Sequence, residues 1–143
     1  MLLRRVVVTL CLTAALGLGA CSAPSSFVRV SEAGWSTVEL APGVNPDEAW
    51  DSVVDILAKK FDLEMISKEG GYVRTGWSYT WTGMRTEDYR VRAVVKFTPK
   101  RDQVQIRSEA EYGKEGSWVM GTDDRLLSTL KTDIAGAVAR TTR

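Results

Sequence analysis

The sequence contains no histidine and only two cysteines. The first absence removes imidazole general-base chemistry, and the second removes any zinc centre built from cysteine and histidine. Charge of one sign is also lacking: 19 basic and 18 acidic residues leave a formal net charge of +1. The chain as a whole therefore exerts no electrostatic pull on nucleic acid. Glycine-rich phosphate loops, nucleophile elbows and EF-hand spacings do not occur. What is present, 44% hydrophobic and 26% charged residues in a chain of 143, is the balance of one ordinary folded domain rather than a disordered segment.

The first residues are of a different kind. Arg4 and Arg5 precede an apolar run from Val6 to Leu18, interrupted by Thr9, Thr13 and Gly17. A charged start and a short apolar centre ending in small residues describe an export signal; the run falls short of the ~20 residues that span a bilayer. The end, Leu18-Gly19-Ala20-Cys21, resembles the lipobox of bacterial lipoproteins. That resemblance implies cleavage before Cys21 and lipid attached to its thiol, dividing the chain into a signal peptide (1–20), a lipidated cysteine with a short tether (21–26) and a single α+β domain (27–143). Cys11 leaves with the signal, so the mature protein has no free thiol and no disulfide, and must be stable by packing alone.

Ser22, rather than aspartate, follows the cysteine. In this it resembles lipoproteins passed on to the outer membrane of diderm bacteria, facing the periplasm. At ~0.8 kcal/mol per buried methylene, two or three acyl chains hold a protein on its membrane essentially permanently. Ser22-Ala23-Pro24-Ser25-Ser26 reads as tether. At ~3.3 to 3.6 Å per residue it reaches less than about 20 Å, which keeps a domain beginning at Phe27 close to the lipid head groups.

Phe27 to Val30 and Trp35 to Leu40 are short β-prone runs, one or both suited to a sheet edge. Asn45-Pro46-Asp47-Glu48 opens a helix, with Asn45 as cap and Pro46 in the first helical position. Trp50, Val53, Val54, Leu57 and Phe61 form its buried stripe. From Leu63 the period becomes two: Leu63, Met65 and Ser67 alternate with Glu64, Ile66 and Lys68 up to a hairpin at Glu69-Gly70-Gly71. Val73, Thr75, Trp77, Tyr79 and Trp81 are expected on one face of the next strand, packed in the core, with Trp77 beside Ala93 and Trp81 reaching solvent at the strand end.

Tyr89 to Phe97 and Val104 to Tyr112 alternate cleanly. A turn at Lys100-Arg101 pairs Phe97 with Val104, Val95 with Ile106 and Tyr89 with Tyr112 on the buried side, and Arg92 with Glu109 and Arg90 with Glu111 on the wet side. A last helix from Thr122 or Asp123 buries Leu126, Leu130, Ile134 and Val138. The expected architecture is α+β, ordered β-α-β-β-β-β-α: a four- to five-stranded antiparallel sheet with both helices packed on one face.

Candidate contact residues fall in two groups. Trp81, Trp118 and Met120 are aromatic or apolar groups at a strand end and in a Gly113 to Gly121 loop. Arg74, Lys96 and Arg107 gather on the open sheet face once Arg90 and Arg92 are matched to glutamates, and suit phosphate groups of lipid or lipopolysaccharide. The carboxylate pairs Asp51/Asp55, Glu109/Glu111 and Asp123/Asp124 are respectively solvent-facing, matched to arginine and at a helix start; none is expected to be catalytic.

The segment from the Trp50 helix through Leu63 to Ser67, Gly70-Gly71 and Tyr72 to Trp77 is similar to the helix-plus-sheet units of the assembly-machinery lipoprotein BamC (NlpB). That similarity implies contact with an envelope assembly complex and transfers no binding residues. The expected function is a non-enzymatic, membrane-anchored envelope lipoprotein without cofactor or metal, acting as a protein-binding accessory or structural module. The alternative is a module binding peptidoglycan or lipopolysaccharide.

Overall fold

A computed structural model describes residues 22–138; the signal segment, Cys21 and its expected lipidation lie outside the described residues. Helix α1 (Pro46–Ala58) begins where its cap dictates: Asn45 Oδ1 accepts from the backbone N–H of Asp47 at 2.8 Å and of Glu48 at 3.4 Å. Ala49, Trp50, Val53 and Leu57 are its buried stripe. Helix α2 (Asp124–Val138) buries Leu126, Leu130, Ile134 and Val138, four residues at helical spacing. It starts just after the expected position, because Asp123 serves as its cap, with Oδ1 accepting from Leu126 N–H at 2.8 Å. Among the described residues no helix is long and apolar enough to cross a membrane.

The strands are β1 (Phe27–Arg29), β2 (Ser36–Glu39), β3 (Leu63–Ser67), β4 (Tyr72–Thr75), β5 (Tyr89–Phe97), β6 (Gln103–Tyr112) and β7 (Val119–Asp123). They form one open antiparallel sheet in the order β1-β7-β6-β5-β4-β3. The second edge of β6 is shared: β2 pairs with its first half, Val38 opposite Val104, and β7 with its last, Met120 opposite Glu111. The β5–β6 register is the expected one, with Phe97 opposite Val104, Tyr89 opposite Tyr112 and Arg92 opposite Glu109. The inward residues of β5 and β6 share one core with the buried stripes of both helices.

The fold is α+β with two helices, as expected, but the sheet has seven strands rather than four or five. Both N-terminal runs become strands, and Val119–Asp123, read as loop and helix start, becomes β7. Its glycine suggested a loop; the free edge of β6 and the arrival of β1 make it a strand.

Two further expectations are corrected. Strand β4 stops at Thr75, and the chain regains contact with β5 only at a bridge between Ser78 and Val91. Val73 faces Val95, so the segment up to Ser78 carries one residue more than its partner. This bulge turns Trp77 away from the core. It is held by Gly76 N–H donating to Asp62 O at 2.9 Å and Ala93 N–H donating to Thr75 Oγ1 at 3.0 Å. Thr75, not Trp77, sits beside Ala93 and is fully buried. In β3 the register shifts between Leu63 and Met65, and Met65 and Ile66, expected on opposite faces, are both exposed, at 47% and 53%.

The 22–26 segment, expected to be a loose tether, is partly structured. Phe27 N–H donates to Pro24 O and Asp124 N–H to Ser26 O, both at 2.9 Å. Gly121 makes the β1–β7 approach possible: a Cβ there would collide with the Phe27 ring and the Val28 carbonyl. Replacing it, Gly121→Ala, is expected to lower stability by about 1–3 kcal/mol. It should also accelerate amide exchange selectively in β1 and β7, with α1 unaffected; hydrogen exchange measures both parts.

Candidate functional site

The sheet face away from the helices is built by the outward residues of β5 and β6. Arg90 and Glu111 pair at 2.5 Å, Arg92 and Glu109 at 2.5 Å, and Arg107 reaches Glu109 at 2.6 Å. These side chains are only 16% to 24% exposed. What covers them is aromatic. The bulge that turns Trp77 outward sets its ring 4.6 Å from the Arg90 guanidinium and 4.5 Å from that of Arg92. Trp118 lies 4.4 Å from Arg90, whose Nη1 also donates to Tyr79 Oη at 2.9 Å. Trp35, in the approach to β2, covers Lys96 at 4.3 Å and Arg107 at 4.5 Å.

Each such contact contributes on the order of 0.5–2 kcal/mol, more as water is excluded. Val94, flanked across the sheet by Arg74 and Arg107, is 1% exposed although it lies outside the helix-side core. The face expected to be wet is therefore a roofed ionic and aromatic layer.

The structure brings Arg74, Lys96 and Arg107 onto this face, but not as a free basic cluster. Arg74 pairs with Glu64 at 3.0 Å, Lys96 lies over Trp35, and Arg107 is held by both Glu109 and Trp35. Trp81 is not an exposed strand tip but partly buried. It stacks on Phe61 with ring centroids 6.0 Å apart, packed against the core with its indole N–H buried and without a hydrogen-bond partner. Trp118 is half-buried on Arg90, and Met120 in β7 is 60% exposed. Trp35 and Trp77 were missed as surface aromatics. Arginines alternating along β5 were the available signal, since buried guanidinium groups call for flat partners.

The connection from β1 to β2 crosses this layer and encloses a cavity of about 220 Å³ lined in part by Glu32, Trp77, Arg92, Arg107, Glu109 and Met120. Arg107 Nε is buried there without a hydrogen-bond partner. A more open depression of about 450 Å³ lies between the end of α1 and the 76–80 segment, lined by Lys59, Asp62, Tyr79 and Arg85 among others.

The candidate carboxylates are otherwise engaged. Asp55 pairs with Lys59 at 2.7 Å and Asp51 with Lys68 at 3.4 Å, both at the surface. Among the described residues no group of three or more metal-ligating side chains forms. Asp123 is fully buried, and its Oδ2 accepts from Tyr89 Oη at 2.5 Å and from Ser26 Oγ at 2.7 Å. Ser108 Oγ donates to Asp123 O at 3.0 Å and accepts from its N–H at 3.1 Å. With both carboxylate oxygens bonded, this junction fastens the segment at Ser26 to sheet and helix.

These features define an α+β domain whose open sheet face is roofed by aromatics and edged by short strands. No family model matches the chain, and no curated protein matches it.

Burial pushes the Tyr89 hydroxyl well above its ordinary 10.0, helped by its hydrogen bond to Asp123 and by that carboxylate's charge. A raised tyrosine contributes stability that is complete below its unfolded value and lost as pH climbs toward the folded one. Stability should therefore fall above about pH 10 as the unfolded state ionises. Tyr89→Phe should cost about 1–3 kcal/mol near neutrality while flattening that alkaline fall. Urea unfolding of both proteins at neutral and strongly alkaline pH checks each part.

Proposed function

We propose that this chain is a lipid-anchored, non-enzymatic lipoprotein of the bacterial envelope that binds another envelope protein, as an accessory or structural module in assembly or maintenance. The sequence support is the Leu18-Gly19-Ala20-Cys21 motif behind a charged and apolar leader. The observation that carries the binding role is the free edge of β3. This strand ends the sheet and presents Met65 and Ile66 at 47% and 53% exposure. An unpaired edge with apolar side chains accepts an added strand, main-chain hydrogen bonds supplying affinity and alternate side chains specificity.

A second reading, binding of peptidoglycan fragments or lipopolysaccharide, is favoured by the cavity beneath the β1–β2 connection. Its lining combines an aromatic wall, two arginines and a buried Arg107 Nε lacking an acceptor. A sugar hydroxyl or phosphate oxygen entering the cavity would supply one.

Mild crosslinking in native envelopes followed by purification should recover one specific envelope protein with the wild type, and lose it with Met65→Lys and Ile66→Lys together. Recovery of the chain alone, or of the same partner from the double variant, rejects β3 docking. Tryptophan fluorescence titrated with muropeptides and lipopolysaccharide should show a saturable change, abolished by Arg107→Met, only under the second reading.

A further inference from the structure

We infer that the β1–β7 corner of the sheet rests on the lipid surface to which the chain is tethered, through Val28, Arg29, Trp118 and Met120. The inference rests on the lipoprotein reading and adds which side of the domain meets the bilayer. Order in the chain extends almost to the anchor: Ser26 is bonded to Asp123, and Phe27 N–H to Pro24 O. Pro24 stands three residues from Cys21, and three residues span at most ~11 Å. The acyl attachment point is thus held within about 11 Å of the first bonded turn.

Strand β1 follows that turn directly and forms one edge of the sheet, whereas β3 forms the other. The strands between them separate the two edges by roughly 24 Å at ~4.8 Å per neighbour. A tether this short brings the β1 edge to the membrane and keeps the β3 edge away.

The exposed groups on that edge suit a lipid surface. Phe27 packs inward on Tyr89 and Tyr112, so alternation turns Val28 outward, where it is 40% exposed. Met120, opposite Glu111, faces the same way and is 60% exposed. Trp118, Val30 and exposed Arg29 complete a shallow groove with Met120. Apolar side chains, an indole and a cation side by side are the composition that settles at the boundary between head groups and acyl chains. Docked this way, the domain leaves Met65 and Ile66 on the far edge, facing the aqueous compartment where a protein partner would approach.

Loss of Cys11 with the signal and acylation of Cys21 leave no thiol in the mature chain, so a single introduced cysteine labels uniquely. The full chain, purified with its anchor and placed in vesicles of phosphatidylethanolamine and phosphatidylglycerol, would carry an environment-sensitive fluorophore on Met120→Cys, Val28→Cys or Ile66→Cys. Labels at 120 and 28 should be blue-shifted and quenched by a lipid-borne quencher at least about threefold more than the label at 66. Equal, water-like behaviour at all three positions on an acylated chain overturns the docking and leaves the lipoprotein reading intact. Mass spectrometry showing residue 21 without acyl chains overturns the lipoprotein reading and the docking with it.

Discussion

Strands β5 and β6 run side by side over nine paired positions in one continuous register, successive residues turning to opposite faces. That alternation assigns Val91, Ala93 and Val95 with Val104 and Ile106 to the helices, and Arg90 and Arg92 with Arg107, Glu109 and Glu111 to the other face. Every other layer is laid against this pair. On one face the stripes of α1 and α2 cover branched aliphatic side chains with no exposure; on the other, indole rings cover guanidinium groups already matched to carboxylates. A slip of one residue would exchange the two faces and leave charges under the helices, so both roofs enforce one register.

The second constraint is the Asp123 junction. One buried carboxylate caps α2, accepts from Tyr89 on β5 and holds Ser26 of the segment leading from Cys21. The segment at Ser26, the sheet and α2 therefore meet at one point, and a segment that its composition alone would leave loose is fixed from Ser26 onward. The proposed membrane contact, with β1 toward the lipid and β3 away from it, relies on this fixed point.

Much of this could be read from the residues. The capped start of α1, the stripes of both helices and the full β5–β6 register follow from local periodicity, because each depends on residues near one another in the chain or on a clean alternation of polarity. The candidate surface was read less well. Arg74, Lys96 and Arg107 were placed on the correct face, yet their partners Glu64 and Trp35 arrive from distant segments. Trp77 and Trp81 exchanged their expected environments, because the extra residue before Ser78 reverses the side on which Trp77 emerges.

The sequence by itself determined the helices, the central hairpin, the α+β class and the resemblance to an exported, lipid-anchored chain, since these are written in periodicity, capping and a contiguous motif. Only the tertiary structure decided that Val119–Asp123 is a strand, that β3 lies exposed at an edge and that the open face is roofed by tryptophan. The physical reason is common to all three. A free edge on β6, a bulge fixed by Asp62 and Thr75, and the rings that meet the guanidinium groups are set by residues far apart in the chain; the arginine alternation along β5 calls for flat partners but does not say which rings arrive.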